Sequence, residues 1–146
     1  METDYWTTRN RVLIVDDEDV IAVTLSLIFR AMGYETRTAW SAEEAVELLE
    51  EWRPDLALVD VFLPGMNGVD FGIYLRCVSP QCKVVLVSGH PGSGELRRDA
   101  ARIGHEMELI PKPVHPRELL DRAAELLSGI EQIEETRSAA VVALMN

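Results

Sequence analysis

Three short runs of almost unbroken apolar residues constrain this chain more than anything else in it: RVLIV at 11–15, LALV at 56–59 and KVVLV at 83–87. A strand with one face in water alternates apolar and polar residues, whereas a strand covered on both faces has no need to. The three runs therefore read as central strands of a sheet clad on both sides. Residues 35–39 (ETRTA) and 107–110 (MELI) mix the two kinds of side chain and read as the edges of that sheet.

Helical segments are expected in the gaps, at 18–32, 42–52, 68–78, 95–103 and 116–128. The second opens on a capping box, Ser41 followed three residues later by Glu44, and Gly104 and Gly129 stand as stops after the fourth and fifth. Alternation of strand and helix implies a parallel sheet with helices on both faces. Buried first, third and fourth strands with edge-like second and fifth match the α/β flavodoxin-like, doubly wound order 2-1-3-4-5. Its ligand crevice lies at the carboxyl ends of the first and third strands. The fourth helix has the thinnest apolar stripe, Leu96, Ala100 and Ile103. Its Arg97, Arg98, Asp99 and Arg102 are expected in water, so it is the helix expected to move.

A length of 146 residues, 47% of them hydrophobic, suits a single compact domain. Residues 1–10 are expected to form an N-terminal arm that includes Trp6, 11–128 the domain, and 129–146 a C-terminal tail. Three fates are open to the tail: extension of the last helix, packing on a partner, or the stump of something longer. With 14 Lys and Arg against 25 Asp and Glu, the net charge of −11 argues against direct contact with nucleic acid or anionic lipid. No apolar run approaches the roughly 20 residues that span a bilayer, and the polar start METDYWTTRN lacks a signal-peptide layout. A cytoplasmic location without membrane attachment is the expectation.

Chemistry should cluster where the strands end. Asp16 and Asp17 follow the first buried run and Asp60 follows the third, so the topology brings three carboxylates to one crevice. Like charges held that close raise one another's pKa unless a cation neutralises them. Mg²⁺ is the natural choice, because it prefers oxygen ligands and typically takes one or two carboxylates together with water and phosphate. A carboxylate that accepts a phosphoryl group becomes an acyl phosphate, and Asp60, alone at the end of a central strand, is the best placed to do so. Ser88 and Lys112, at the ends of the fourth and fifth strands, supply a hydroxyl and an ammonium for the phosphoryl oxygens. Lys112 precedes Pro113, where a cis bond is cheap and would aim the lysine into the crevice.

The segments VLIVDDE, LALVDVFLPGMNG, VVLVSGH and IPKPV, in this order and spacing, resemble the signature segments of the response-regulator receiver family of two-component signalling, over about residues 11–128. The resemblance implies that Asp60 is the phosphorylation site and that Asp16, Asp17 and Asp60 bind Mg²⁺ with the backbone carbonyl of Phe62. It further implies that Ser88 is the switch hydroxyl and Lys112 the phosphate-contacting lysine. A histidine kinase or histidine phosphotransfer protein would be the donor. A downstream protein would dock on the face of the fourth helix, fifth strand and fifth helix, and the chain would be no enzyme beyond its own phosphorylation and dephosphorylation. Two features depart from the pattern. Leu109 stands where the family usually has an aromatic residue, and the loop HPGSG after Ser88 is rich in glycine.

Other residues have plainer readings. Cys77 and Cys82 lack a second ligand pair and read as two structural thiols, and the scattered His90, His105 and His115 read as exposed, His90 nearest the crevice. Trp40 and Trp52 read as packing residues. Gly89, Gly92 and Gly94 fail the nucleotide-loop template and read as flexibility. Two rival functions stand beside the receiver. A haloacid-dehalogenase-like phosphatase would need an acid two residues after its nucleophile, where this chain has Phe62. A receiver-fold interaction module without phosphorylation would not need all five site residues.

Overall fold

The computed structural model describes residues 10–145, with backbone alone for 129–142. The chain divides into two compact units, Met1–Val114 and His115–Asn146. Trp6 and most of the arm expected at 1–10 lie outside the described residues.

The first unit is a five-stranded parallel sheet in the order β2-β1-β3-β4-β5. Its strands are β1 (Arg11–Val15), β2 (Glu35–Ala39), β3 (Leu56–Asp60), β4 (Lys83–Ser88) and β5 (Glu108–Pro111). The intervening helices are α1 (Asp19–Ala31), α2 (Ala42–Leu48), α3 (Gly68–Val78) and α4 (Ser93–Arg102). This is the expected flavodoxin-like topology, and its cause is visible residue by residue. Every residue of β3 is buried, as are the last four of β1 and of β4, whereas β2 buries only Thr36 and Ala39 and β5 is half-buried up to its exposed last residue. The core joins Leu13, Val15, Val59 and Leu86 of the sheet to Leu49 and Trp52 after α2 and to Phe71 and Leu75 of α3. Truncating a side chain such as Phe71, which has no exposed surface, to alanine would cost about 3–5 kcal/mol.

Several element ends differ from expectation. Helix α2 stops at Leu48 rather than 52, because the N–H groups of Glu50 and Glu51 donate to carbonyls three residues back, a tightening that ends the helix. Helix α4 runs from Ser93 to Arg102 instead of 95–103, and β5 begins at Glu108 rather than Met107. Within α4, Leu96 packs on the core and Ala100 is buried, but Ile103 is 72% exposed and Arg97 is half-buried, so the expected stripe is shorter still.

In the second unit, α5 spans Pro116–Met145 and passes straight through Gly129, which does not stop it. A lone glycine costs only about 1 kcal/mol against alanine. The Leu, Ile, Glu and Gln residues on either side favour the helix enough to carry it. Over residues 129–145 the last helix is extended, the first of the fates open to the tail. No helix of the described residues is long and apolar enough to cross a membrane.

Candidate functional site

The sheet delivers the acidic residues to one end because β1 and β3 are adjacent and parallel, with Val15 level with Val59. Asp16 and Asp17 leave β1, and Asp60 is the last residue of β3. Their carboxylates each offer an oxygen, and these atoms lie within 4.8 Å of one another, the one such group of potential metal ligands among the described residues. Asp16 is buried and Asp17 exposed, so the group opens to solvent on one side.

The contacts of each residue divide the work. Asp16 Oδ1 accepts the Glu18 N–H at 2.9 Å, which ties the carboxylate to the entry of α1, while its Oδ2 accepts from Lys112 Nζ at 3.2 Å. The same ammonium stands 3.5 Å from Asp60 Oδ2. Lys112 reaches the crevice from just beyond the end of β5, where the Lys112–Pro113 bond is cis. Burial raises the pKa of Asp60, and the Asp16 charge raises it further; Lys112 and the Phe62 N–H pull the other way but do not prevail. Burial alone would lower the pKa of Lys112, yet the Asp60 and Asp16 carboxylates raise it, so the lysine keeps its charge. Three oxygen-donor side chains whose mutual charge one ammonium leaves incompletely offset are a set that a hard divalent cation fits.

The loop between β3 and α3 owes its shape to two glycines. Gly65 has φ +79°, a left-handed conformation that favours glycine, and Glu43 of α2 accepts the next N–H, that of Met66, at 2.9 Å. That bond lowers the Glu43 pKa. Gly68 donates to the Val61 carbonyl at 2.7 Å, and a Cβ there would overlap the Asp60 carbonyl oxygen. Glycine at 68 is what lets the first turn of α3 lie against the strand end that bears Asp60.

Ser88 ends β4 with 5% of its surface exposed, and its Oγ accepts from the His90 N–H at 3.2 Å and the Ser93 hydroxyl at 2.7 Å. His90, exposed as expected, stacks on the Phe62 ring at 3.9 Å between centroids, and its Nδ1 accepts the Gly92 N–H at 3.0 Å. Neither the Ser93 bond nor the stack was visible in the sequence, although a serine five residues beyond Ser88 across a short loop was the available clue. The packing reading holds for Trp52, 3% exposed, but not for Trp40, which is 39% exposed. Trp40 precedes the N-cap Ser41, and its backbone N–H donates to Glu44 at 3.2 Å, so the capping contacts rather than core burial fix its place. Cys77 and Cys82 are free, the first exposed and the second buried with its thiol pushed up to about 12 by burial.

Comparison with known proteins supplies the class to which this fold and acidic crevice belong. The sequence matches the family model described as the response regulator receiver domain over residues 12–124, and the chain belongs to that family. It is 33% identical over 121 residues to the DNA-binding response regulator MtrA of Mycolicibacterium smegmatis, an alignment covering 80% of this chain and 50% of that protein. It is 27% identical over 96 residues to sporulation initiation phosphotransferase F of Bacillus subtilis, covering 66% of this chain and 77% of that one. Among solved structures, a CheY-like receiver domain protein from Methanospirillum hungatei superposes with a TM-score of 0.76 at 31% identity, covering 86% of this chain and 98% of that one. The chain thus spans about half the length of the MtrA relative it matches. It is a receiver domain of two-component signalling.

Proposed function

We propose that Asp60 accepts a phosphoryl group from a histidine kinase or histidine phosphotransfer protein, with Mg²⁺ held by Asp16, Asp17, Asp60 and the carbonyl of Phe62. The observation that carries this reading is the meeting of three carboxylates with one ammonium, Lys112 Nζ, at 3.2 and 3.5 Å from Asp16 and Asp60. When bound, the cation offsets the charge of the acidic group and of the incoming phosphate.

The chain's own residues do the rest. An Asp60 carboxylate oxygen bonds to phosphorus as the bond to the leaving group breaks, and the leaving group departs with that electron pair. Lys112 exchanges part of its ion pairing with Asp16 and Asp60 for the phosphoryl oxygens, and Ser88 offers its hydroxyl to another. Phe62, stacked on His90, offers no proton to a leaving group or a water, which separates this site from the phosphatase alternative.

The signal would leave through α4 and β5. Phosphate biases a two-state domain only through contacts that differ between the states, and Ser88 and Lys112 are those contacts. Leu109 has no ring to swing, so the response falls on the loop after Ser88 and on α4, whose anchors in the core are few. A downstream protein docks there. The names of the MtrA relatives give DNA binding to proteins of which the matched region is only half, and here the net charge of −11 favours a protein partner.

Intact mass after incubation with acetyl phosphate and Mg²⁺ tests the proposal. The protein should gain one phosphoryl group, with acetate released. An unchanged mass would leave a receiver fold that acts by binding alone.

A further inference from the structure

We propose that Ser93 is a positioning residue: its buried hydroxyl orients the hydroxyl of Ser88 and couples it to the first turn of α4. The inference rests on the reading of Ser88 as the group that contacts the phosphoryl oxygens.

Ser93 is the first residue of α4 and only 2% exposed. A serine at a helix start usually caps the helix through its side chain, but here Gly92 is the N-cap and no side chain caps the helix. The Ser93 hydroxyl instead donates across the loop to Ser88 Oγ at 2.7 Å. The backbone supports the same closure: the Ser93 N–H donates to the His90 carbonyl at 3.1 Å and the His90 N–H to Ser88 Oγ at 3.2 Å.

A hydroxyl has one proton to give and two lone pairs to accept with. His90 and Ser93 fill both lone pairs of Ser88 Oγ, so its own proton is the valence that remains. Phosphoryl oxygens are acceptors, and that proton is the group they require. Ser93 therefore sets the rotor of Ser88 in the sense useful for reading a phosphoryl group. It also makes the contact consequential. If Ser88 turns toward a phosphoryl group on Asp60, the Ser93 hydroxyl either follows, which shifts the first turn of α4, or loses its partner in a site closed to water. Both outcomes carry a local event at Ser88 into the helix, and neither needs an aromatic residue at position 109.

Hydrogen exchange over α4, with and without beryllofluoride and Mg²⁺, tests this on Ser93→Ala, Ser88→Ala, the double variant and the parent, beside intact-mass labelling by acetyl phosphate. Exchange in β1 and β3 checks that each variant is folded. Ser93→Ala should still gain the phosphoryl mass, because Asp60, Lys112 and the Ser88 hydroxyl all remain. Its beryllofluoride-dependent protection of α4 should shrink about fivefold, the equilibrium effect of one ordinary hydrogen bond. In the Ser88→Ala background the same change should add nothing, since Ser93 acts through Ser88. A parent-sized response in Ser93→Ala, or an equal further loss in the double variant, would overturn the proposal. Failure of the parent to take the phosphoryl mass would instead remove the phosphoacceptor reading, and this inference with it.

Discussion

The two ends of the sheet hold charge in opposite ways. At the amino end, Arg11 Nε donates to Glu35 at 3.1 Å, Trp52 Nε1 donates to the other oxygen of Glu35 at 3.0 Å, and the Arg11 N–H donates to Asp55 at 2.8 Å. The guanidinium groups of Arg11 and Arg37 also lie 5.7 and 5.5 Å from the Trp52 ring. The Trp52 bond, with help from Arg11 and Arg37, lowers the Glu35 pKa despite some burial. At the carboxyl end, one lysine is shared by two carboxylates, those of Asp16 and Asp60, and the Asp60 pKa is raised. Glu35 is a charge that the fold has satisfied, and Asp60 is one it has left wanting. The cation and phosphoryl group proposed for Asp60 call for a carboxylate in the second condition.

Removing Asp60 should break this contrast most severely. Asp60→Asn should abolish acyl-phosphate formation in the labelling assay, and mass gain surviving in that variant would move the nucleophile to Asp16 or Asp17. The same change should raise the urea midpoint of the metal-free protein at neutral pH. Because the folded-state pKa of Asp60 lies above 3.8, its neutral form favours the fold at low pH, and that contribution disappears as pH rises through the folded value. A midpoint unmoved or lowered would mean that the carboxylate is not under pressure.

Metal removal should come next in size. In excess chelator the labelling rate should fall by at least about tenfold, as the acidic group then meets the incoming phosphate without its cation. Equal labelling with and without chelator would show that Lys112 suffices.

Smaller effects sharpen the picture. Lys112→Ala should leave Mg²⁺ affinity no weaker in calorimetric titration, since the ammonium competes for Asp16 and Asp60, while it reduces the beryllofluoride-dependent response of α4. Loss of affinity on the scale of Asp17→Ala would assign the lysine to metal binding. At the other end of the sheet, Glu35→Gln should cost about 1 kcal/mol in urea unfolding at neutral pH, the worth of a typical hydrogen bond. The sign with pH is opposite to that of Asp60. The Glu35 contribution is present above 4.5 and lost as pH falls through its depressed folded value.

What was legible in the sequence was whatever burial on both faces dictates. Continuous apolar runs marked β1, β3 and β4 as interior, and with the edge strands placed, the meeting of Asp16, Asp17 and Asp60 followed from topology alone. Element ends were less legible, because they turn on single hydrogen bonds. The three-residue bonds of Glu50 and Glu51 close α2 early, and Gly129 is too weak a breaker to stop α5. Least legible were contacts between side chains distant in role but near in space. The Glu43 bond to Met66, the Phe62–His90 stack and the Ser93–Ser88 pair depend on how loops fold back on the sheet. The glycines of HPGSG read as flexibility, yet the residues between them hold the shortest hydrogen bond to Ser88.

Titrating the carboxyl carbons of Asp60 and Glu35 together by NMR, first without metal and then with Mg²⁺, tests the contrast most directly. Without metal, Asp60 should titrate above 3.8 and Glu35 below 4.5. Mg²⁺ should then bring Asp60 down and leave Glu35 where it was. An Asp60 that titrates at or below 3.8 and ignores Mg²⁺ would contradict the claim that the acidic crevice is built to take a cation.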